Sequence, residues 1–266
     1  MFFLPAPGGP RLCVCHRPAD DGNVRGTLLF VHPWAEEMNK SRHAVAVGSR
    51  ALAREGWAVL QIDLFGCGDS SGEFGGATWD AWLQDVALAA KWLVGRFGVV
   101  PGFWGLRAGA LVIADYLAAG GVGNGVLLWQ PVISGKQHLT QFLRLKMVNE
   151  MLGNVAERSG TQELRGRIAK GEHVEVAGYR LSEGLAGGLE RADLVFAPGV
   201  GRVLWVEVSS ADEPKLSPAS ENRIARLAQR GVRVETSAVP GQAFWQTIEI
   251  AECPALVAKT VEMVGA

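Results

Sequence analysis

The residues Gly105-Leu106-Arg107-Ala108-Gly109 lie between a strand-like apolar run and a helical one. Glycine two residues either side of a central position is what a tight strand-to-helix turn requires, because side chains there would strike the adjoining strand and helix. Such a turn lifts its central side chain clear of the backbone, and a hydroxyl held there attacks carbonyl carbon. Here the central residue is Arg107. A guanidinium stays charged and cannot attack as a serine does. What it can do is fork onto a carboxylate or a phosphate. Burying it unpaired is costly, so a carboxylate is expected close by, and Glu36, Glu37 and Asp212 are the candidates by loop position. Two readings stay open: a salt bridge that fills the site, or a fork that grips an anionic ligand. Catalysis by other groups is the third.

Three further loops belong to the same edge. Phe30-Val31-His32-Pro33-Trp34 ends a buried strand in a turn, which sets the backbone N–H of Trp34 on the same edge as that of Ala108. Asp212 lies in the loop after the run 202–208. Gln242 lies after the run 232–238, and no histidine lies beyond His173. Cys67 with His32 is a weaker nucleophile–base pair, since a cysteine between glycines reads as a small filler. Ser70, Ser209 and Ser210 read as loop caps, and His43 as a surface or packing residue. His138 and His173 fall in an inserted segment from which a histidine could reach the site. Trp34, Trp104, Trp129 and Trp245 fall near strand ends and suit either a core or an apolar acyl pocket.

Short apolar runs alternate with longer helical ones, which predicts a mainly parallel sheet flanked by helices. Residues 11–16 read as a first edge strand, turned by Ala19-Asp20-Asp21-Gly22-Asn23 into a hairpin with the strand 26–31. Asn39 or Ser41 is the expected cap of the next helix and Gly56 its end; the strand 57–62 and a glycine-rich loop to Gly76 follow. Thr78 should cap a helix that presents Trp79, Trp82, Val86 and Leu93 on one face. A strand at 99–104, a helix at 108–119 and a strand at 125–129 come next. Residues 132–200 break the rhythm, with a helix near 137–152, a charged stretch at 157–172, a strand at 173–179 and a helix near 182–193. They read as a lid inserted over the sheet's carboxyl edge. The alternation resumes with a strand at 202–208, a helix at 217–230, a strand at 232–238 and a last helix at 245–264.

The chain has 266 residues, 48% of them hydrophobic, which suits one domain spanning 1–266. Net charge is −1 with no basic stripe, which argues against a nucleic-acid partner. No apolar stretch is long enough for a membrane span, and the first ten residues lack the pattern of a secretory leader. Cys13-Val14-Cys15-His16 has the wrong spacing for a zinc knuckle, and no dinucleotide fingerprint is present. The expectation is a cytoplasmic protein without metal or cofactor that acts on a small-molecule or acyl substrate.

The turn at 105–109 resembles the nucleophile elbow of the α/β-hydrolase fold, Gly-x-Ser-x-Gly, with arginine for serine. The loop Asp63-Leu-Phe-Gly66-Cys67-Gly68-Asp69-Ser70 resembles a shaping turn common in that fold. His32-Pro-Trp-Ala-Glu-Glu-Met-Asn-Lys-Ser-Arg42, Trp104-Gly-Leu-Arg-Ala-Gly109 and Ala177-Gly-Tyr-Arg-Leu-Ser182 are similar to the second of two hydrolase-like proteins associated with the exosortase A system. That resemblance spans nearly the whole chain. It implies an α/β-hydrolase fold and a nominal hydrolase of ester, thioester or amide bonds, in a setting of exopolysaccharide production and PEP-CTERM protein sorting. Against the family triad, Arg107 takes the nucleophile's place, Asp212 the acid's and Gln242 the histidine's. The resemblance implies that the backbone N–H groups of Trp34 and Ala108 form an oxyanion-type pair, and these two with Glu36, Glu37 and Arg42 are then candidates for holding substrate. The alternative is a non-catalytic protein that binds an anionic ligand or a partner through Arg107.

Overall fold

The computed structural model describes residues 1–20, 22–152 and 160–266. Asp21 of the expected turn and positions 157–159 of the charged stretch lie outside them. Eight strands form one sheet: β1 (Phe2–Leu4), β2 (Arg11–His16), β3 (Gly26–Val31), β4 (Trp57–Ile62), β5 (Gly102–Leu106), β6 (Val126–Trp129), β9 (Arg202–Ser209) and β10 (Arg233–Pro240). Their order is β1-β2-β4-β3-β5-β6-β9-β10. Pairing is parallel from β4 to β10, while β1 and β2 run antiparallel at one edge.

The strands β3 to β6 are buried on both faces, so their sequences are nearly unbroken apolar runs. Alternate residues feed two cores. Phe30, Trp104, Leu106 and Trp129 face α1 (Glu36–Arg54) and α8 (Pro254–Gly265). Leu29, Phe103 and Leu128 face α2 (Trp79–Phe97) and α3 (Gly109–Ala118), and α7 (Pro218–Gln229) adds Leu227 to the same core. On α2 the helical spacing of Trp79, Trp82, Val86 and Leu93 turns all four inward. Burying side chains of this size contributes roughly 1.5–3 kcal/mol each. Thr78 caps that helix as expected, its hydroxyl accepting from Ala81 N at 3.1 Å.

Several expectations are corrected. The strand 11–16 is not the edge, because β1 pairs outside it. Nor does it form a hairpin with β3: β4 lies between them and takes both partners. The turn after β2 sets a local reversal, but the strand neighbours are chosen by long-range packing. Helix α1 begins at Glu36, before Asn39 or Ser41 could cap it, and Ser41 instead donates to Glu37 O at 2.6 Å. The last helix begins at Pro254, whose fixed φ suits a first helical position. Residues 241–253 are therefore a loop.

Between β6 and β9 lies the insertion. It comprises α4 (Gly135–Leu152), α5 (Thr161–Ala169), a hairpin of β7 (Val174–Val176) and β8 (Tyr179–Leu181), and α6 (Glu183–Arg191). The expected single strand at 173–179 is thus two short ones, and part of the charged stretch is helical. Gly188 lets α6 lie directly on α2, since a Cβ there would sit 2.1 Å from Trp79 Cβ. Gly135 lets α4 start beneath α6, where a Cβ would meet Leu189 O at 1.8 Å.

Candidate functional site

The site is built at the carboxyl edge of the parallel strands. Arg107 has φ +53°, a left-handed conformation held by bonds from its N–H to Trp129 O (3.0 Å) and to its own carbonyl from Val132 N (3.1 Å). The flanking glycines are needed for the reason expected. A Cβ on Gly109 would lie 2.2 Å from Val31 O, and one on Gly105 would lie 2.8 Å from Ala110 Cα. The same closeness of Gly109 to Val31 and His32 sets the start of α3 against the loop after β3. Ala35 (φ +49°) and Gln130 (φ +43°) lie at the same edge in backbone conformations that L residues rarely adopt. Such strained residues cluster at functional sites.

Of the three carboxylates expected near Arg107, the structure brings Glu37. Arg107 Nε donates to Glu37 Oε1 at 3.2 Å and Nη1 to Gln130 O at 3.4 Å. The Trp245 ring covers the guanidinium, with Cζ 5.4 Å from its centroid. The two charged side chains keep 16% and 17% of their exposure, so the pair is nearly but not wholly closed. Burial pushes the Glu37 carboxyl above the usual range, and the Arg107 charge pulls against it. Glu36 instead accepts from Tyr179 Oη at 3.1 Å. Arg42 is not brought to the pair; its Nη2 donates to Asp63 Oδ2 at 2.9 Å, and it supports the Asp63–Ser70 loop.

Asp212 and Gln242 are both exposed. Among the described residues Asp212 makes no ion pair, and neither residue reaches Arg107. The buried carboxylate of that region is Glu207, which accepts from Trp205 Nε1 (3.0 Å), Ser217 N (2.9 Å) and Ser220 Oγ, and so anchors α7. A lone acid in an apolar strand was its signal in the sequence. Among the described residues neither the Trp34 nor the Ala108 backbone N–H has an acceptor. The Trp34 ring is boxed edge-on by Phe74 (5.5 Å), Trp82 (5.6 Å) and Phe142 of α4 (6.0 Å). Trp104 and Trp129 belong to the core beneath, stacked edge-on at 4.5 Å.

His138 is 8% exposed in the first turns of α4, and its Nε2 has no partner. Burial, and then the Arg107 charge, push its pKa down to about 3, so the ring is neutral. Its signal was the spacing of four to Phe142, which places both on one helix face. The Cys67–His32 pair does not form. His32 Nδ1 lies 2.8 Å from Pro33 O and Nε2 accepts from Leu64 N at 3.3 Å, while burial pushes the Cys67 thiol up. Ser70 is a loop cap, donating to Asp63 O at 2.5 Å and accepting from Leu12 N at 2.8 Å. His43 is a surface residue beside Glu252, and His173 is exposed. Among the described residues no cluster of three or more histidine, cysteine, aspartate or glutamate side chains could hold a metal ion, and no helix is long and apolar enough to cross a membrane.

A mostly parallel sheet with helices on both faces, an elbow between β5 and α3 and a facing loop after β3 define an α/β-hydrolase fold. Residues 22–184 match the family described as serine aminopeptidase, S33, and the chain belongs to that family. Solved structures agree on the fold. Est1E from Butyrivibrio proteoclasticus, solved with ferulic acid, is 13% identical, with a TM-score of 0.71 over 100% of this chain and 98% of that one. An α/β serine hydrolase homologue from Coxiella burnetii is 14% identical, with a TM-score of 0.55 over 99% and 94%. XC6422 from Xanthomonas campestris, described as a serine hydrolase without lid, is 16% identical, with a TM-score of 0.53 over 92% and 84%. Comparison with curated proteins gave no match.

Proposed function

We propose that the chain binds the acyl carbonyl of an ester, thioester or amide at the carboxyl edge of its sheet and hydrolyses it without an acyl-serine intermediate. The observation that carries this is the coexistence of acceptor-free N–H groups at Trp34 and Ala108 with Arg107 at the elbow. Donors aimed at a developing oxyanion serve acyl transfer whatever attacks the carbon. Trp34, Phe74 and Phe142 supply an apolar wall for the acyl group. The ferulic acid in Est1E supports a small carboxylic acyl ligand. In this reading the chain is one domain, 1–266, whose insertion at about 132–200 is a lid. Arg107 orders the site, and exposed Asp212 and Gln242 take no part in it.

A second reading rests on a different observation. The Arg107–Glu37 pair lies under Trp245, and Arg107 lines none of five cavities of about 370–950 Å³ elsewhere on the molecule. That favours a non-catalytic protein whose elbow the Arg107–Glu37 salt bridge fills. Hydrolysis of model esters, alongside a fluorophosphonate label and an Arg107→Ser control, separates the two. The hydrolytic reading expects turnover by the wild-type chain with no serine labelled. Absence of turnover above the control excludes it.

The resemblance of the 32–42, 104–109 and 177–182 motifs supports a place beside the exosortase A system, in PEP-CTERM sorting and exopolysaccharide production. We place the chain in the cytoplasm, and fractionation of a tagged protein tests that.

A further inference from the structure

Four buried polar atoms without a hydrogen-bond partner among the described residues belong to side chains around the elbow: Trp34 Nε1, Glu37 Oε2, His138 Nε2 and Trp245 Nε1. Unpaired buried polar atoms are rare, and each costs about 1–3 kcal/mol. These four come from four different segments: the loop after β3, the first turn of α1, α4, and the loop after β10. Orphans of both donor and acceptor type on segments that meet beside the elbow are groups a small polar molecule would satisfy.

Glu37 is held at one oxygen only. Its Oε1 is fixed by the Arg107 guanidinium, while Oε2 is buried and free. A carboxylate pinned in this way is oriented and still has one oxygen available to take a proton. His138 lies four residues before Phe142 on α4, and Phe142 packs against Trp34, so one helix face carries the imidazole towards the loop that supplies an oxyanion donor. A neutral imidazole at that place can hydrogen-bond a water molecule.

Resting on the reading that this site receives an acyl carbonyl, we propose that Glu37 is the general base that activates a water molecule for attack on that carbonyl, with His138 as the residue that positions the water. Glu37 takes one proton from the water as its oxygen bonds to the carbonyl carbon. The carbonyl π electrons move onto the oxygen, which the Trp34 and Ala108 N–H groups receive. When the intermediate collapses, the bond to the leaving oxygen, sulfur or nitrogen breaks, and the proton on Glu37 passes to the leaving group. The products are the free acid and an alcohol, thiol or amine, with no covalent bond to the protein. Burial raises the basicity of Glu37 over that of an ordinary carboxylate, against the pull of Arg107 and Lys40. A base titrating nearer neutrality is more effective at physiological pH.

The test uses the full chain with p-nitrophenyl acetate, butyrate and octanoate, S-phenyl thioacetate and p-nitroacetanilide. Linear progress curves without a burst are expected. Glu37→Gln should lower kcat about a hundredfold or more at little-changed KM. Glu37→Asp, which keeps the charge but withdraws it, should lose about tenfold and retain the rising limb of the pH profile that Glu37→Gln loses. The charged groups acting on Glu37 are Arg107 and Lys40, and Arg107 also acts on His138. His138→Gln, whose amide reaches near the former Nε2, should stay within about tenfold, and His138→Phe should lose about a hundredfold. Turnover unchanged in a folded Glu37→Gln overturns the proposal and leaves the acyl-site reading standing. A burst stoichiometric with protein overturns it as well. No turnover on any of the five substrates overturns both.

Discussion

At the scale of single residues, Arg107 shows what the chain's composition made legible and what it did not. A charged side chain at a buried elbow demanded a carboxylate, and three were in range. Glu37 is chosen because α1 starts at Glu36, which sets Glu37 in the first turn over the elbow. That start had no side-chain cap to betray it. Trp245 over the guanidinium was not legible, because no local pattern encodes the path of a long loop. Arg107→Ala should lower stability by about 2 kcal/mol in urea unfolding, since both Glu37 oxygens are then unpaired; the partial exposure keeps this below the cost at a fully dry pair. His138 gives a pH signature. Its folded pKa, about 3, lies below its unfolded value, so the unfolded chain binds the extra proton between them. Its contribution is complete above pH about 6.5 and is lost as pH falls towards 3, by about 1.4 kcal/mol per pH unit. His138→Gln should flatten that part of the stability–pH curve in denaturation series at pH 7, 5 and 4. An unchanged slope would show that other groups, such as buried His32, account for it.

At the scale of elements, the alternation of apolar runs and helical faces was enough to place nearly every strand and helix, because both periodicities are local. Strand order was not. The antiparallel β2 could have paired with β3 by a short turn, yet it pairs with β4, a choice settled by which faces must be covered. Pro254 was a readable helix start. The elbow glycines make the sharpest prediction here. Gly109→Ala sets a Cβ against the Val31 carbonyl, backbone against backbone, and should cost at least about 3 kcal/mol. Gly105→Ala meets Ala110 Cα and the movable Ile113 side chain and should cost less. Urea midpoints rank the two, and the reverse order would mean that the elbow relaxes towards the loop after β3.

At the scale of the whole molecule, one buried ion pair joins parts far apart in sequence. Arg11 Nε bonds both oxygens of Asp85 at 2.8 and 2.9 Å, with each side chain 2% exposed. Asp85 also accepts from Phe65 N at 2.7 Å, and Arg11 donates to Pro7 O and Gly9 O. The N-terminal segment, α2 and the glycine-rich loop are thus fastened at one point. Arg11→Leu leaves a buried carboxylate without its cation and should cost about 3–5 kcal/mol, while Arg11→Met with Asp85→Leu should recover much of that. Thermal unfolding of the single and double variants checks both. The path of the loop 241–253 limits what substitution at the elbow can do. A serine at 107 and a histidine at 242 are single substitutions on paper, yet Gln242 faces solvent while the loop beyond it folds Trp245 down onto position 107. Serine-type chemistry is therefore not assembled at this edge by those two substitutions alone. A nucleophile and base engineered here would have to move the thirteen residues 241–253 as well, so the loop's path, more than the identity of residue 107, sets which chemistry the edge accepts.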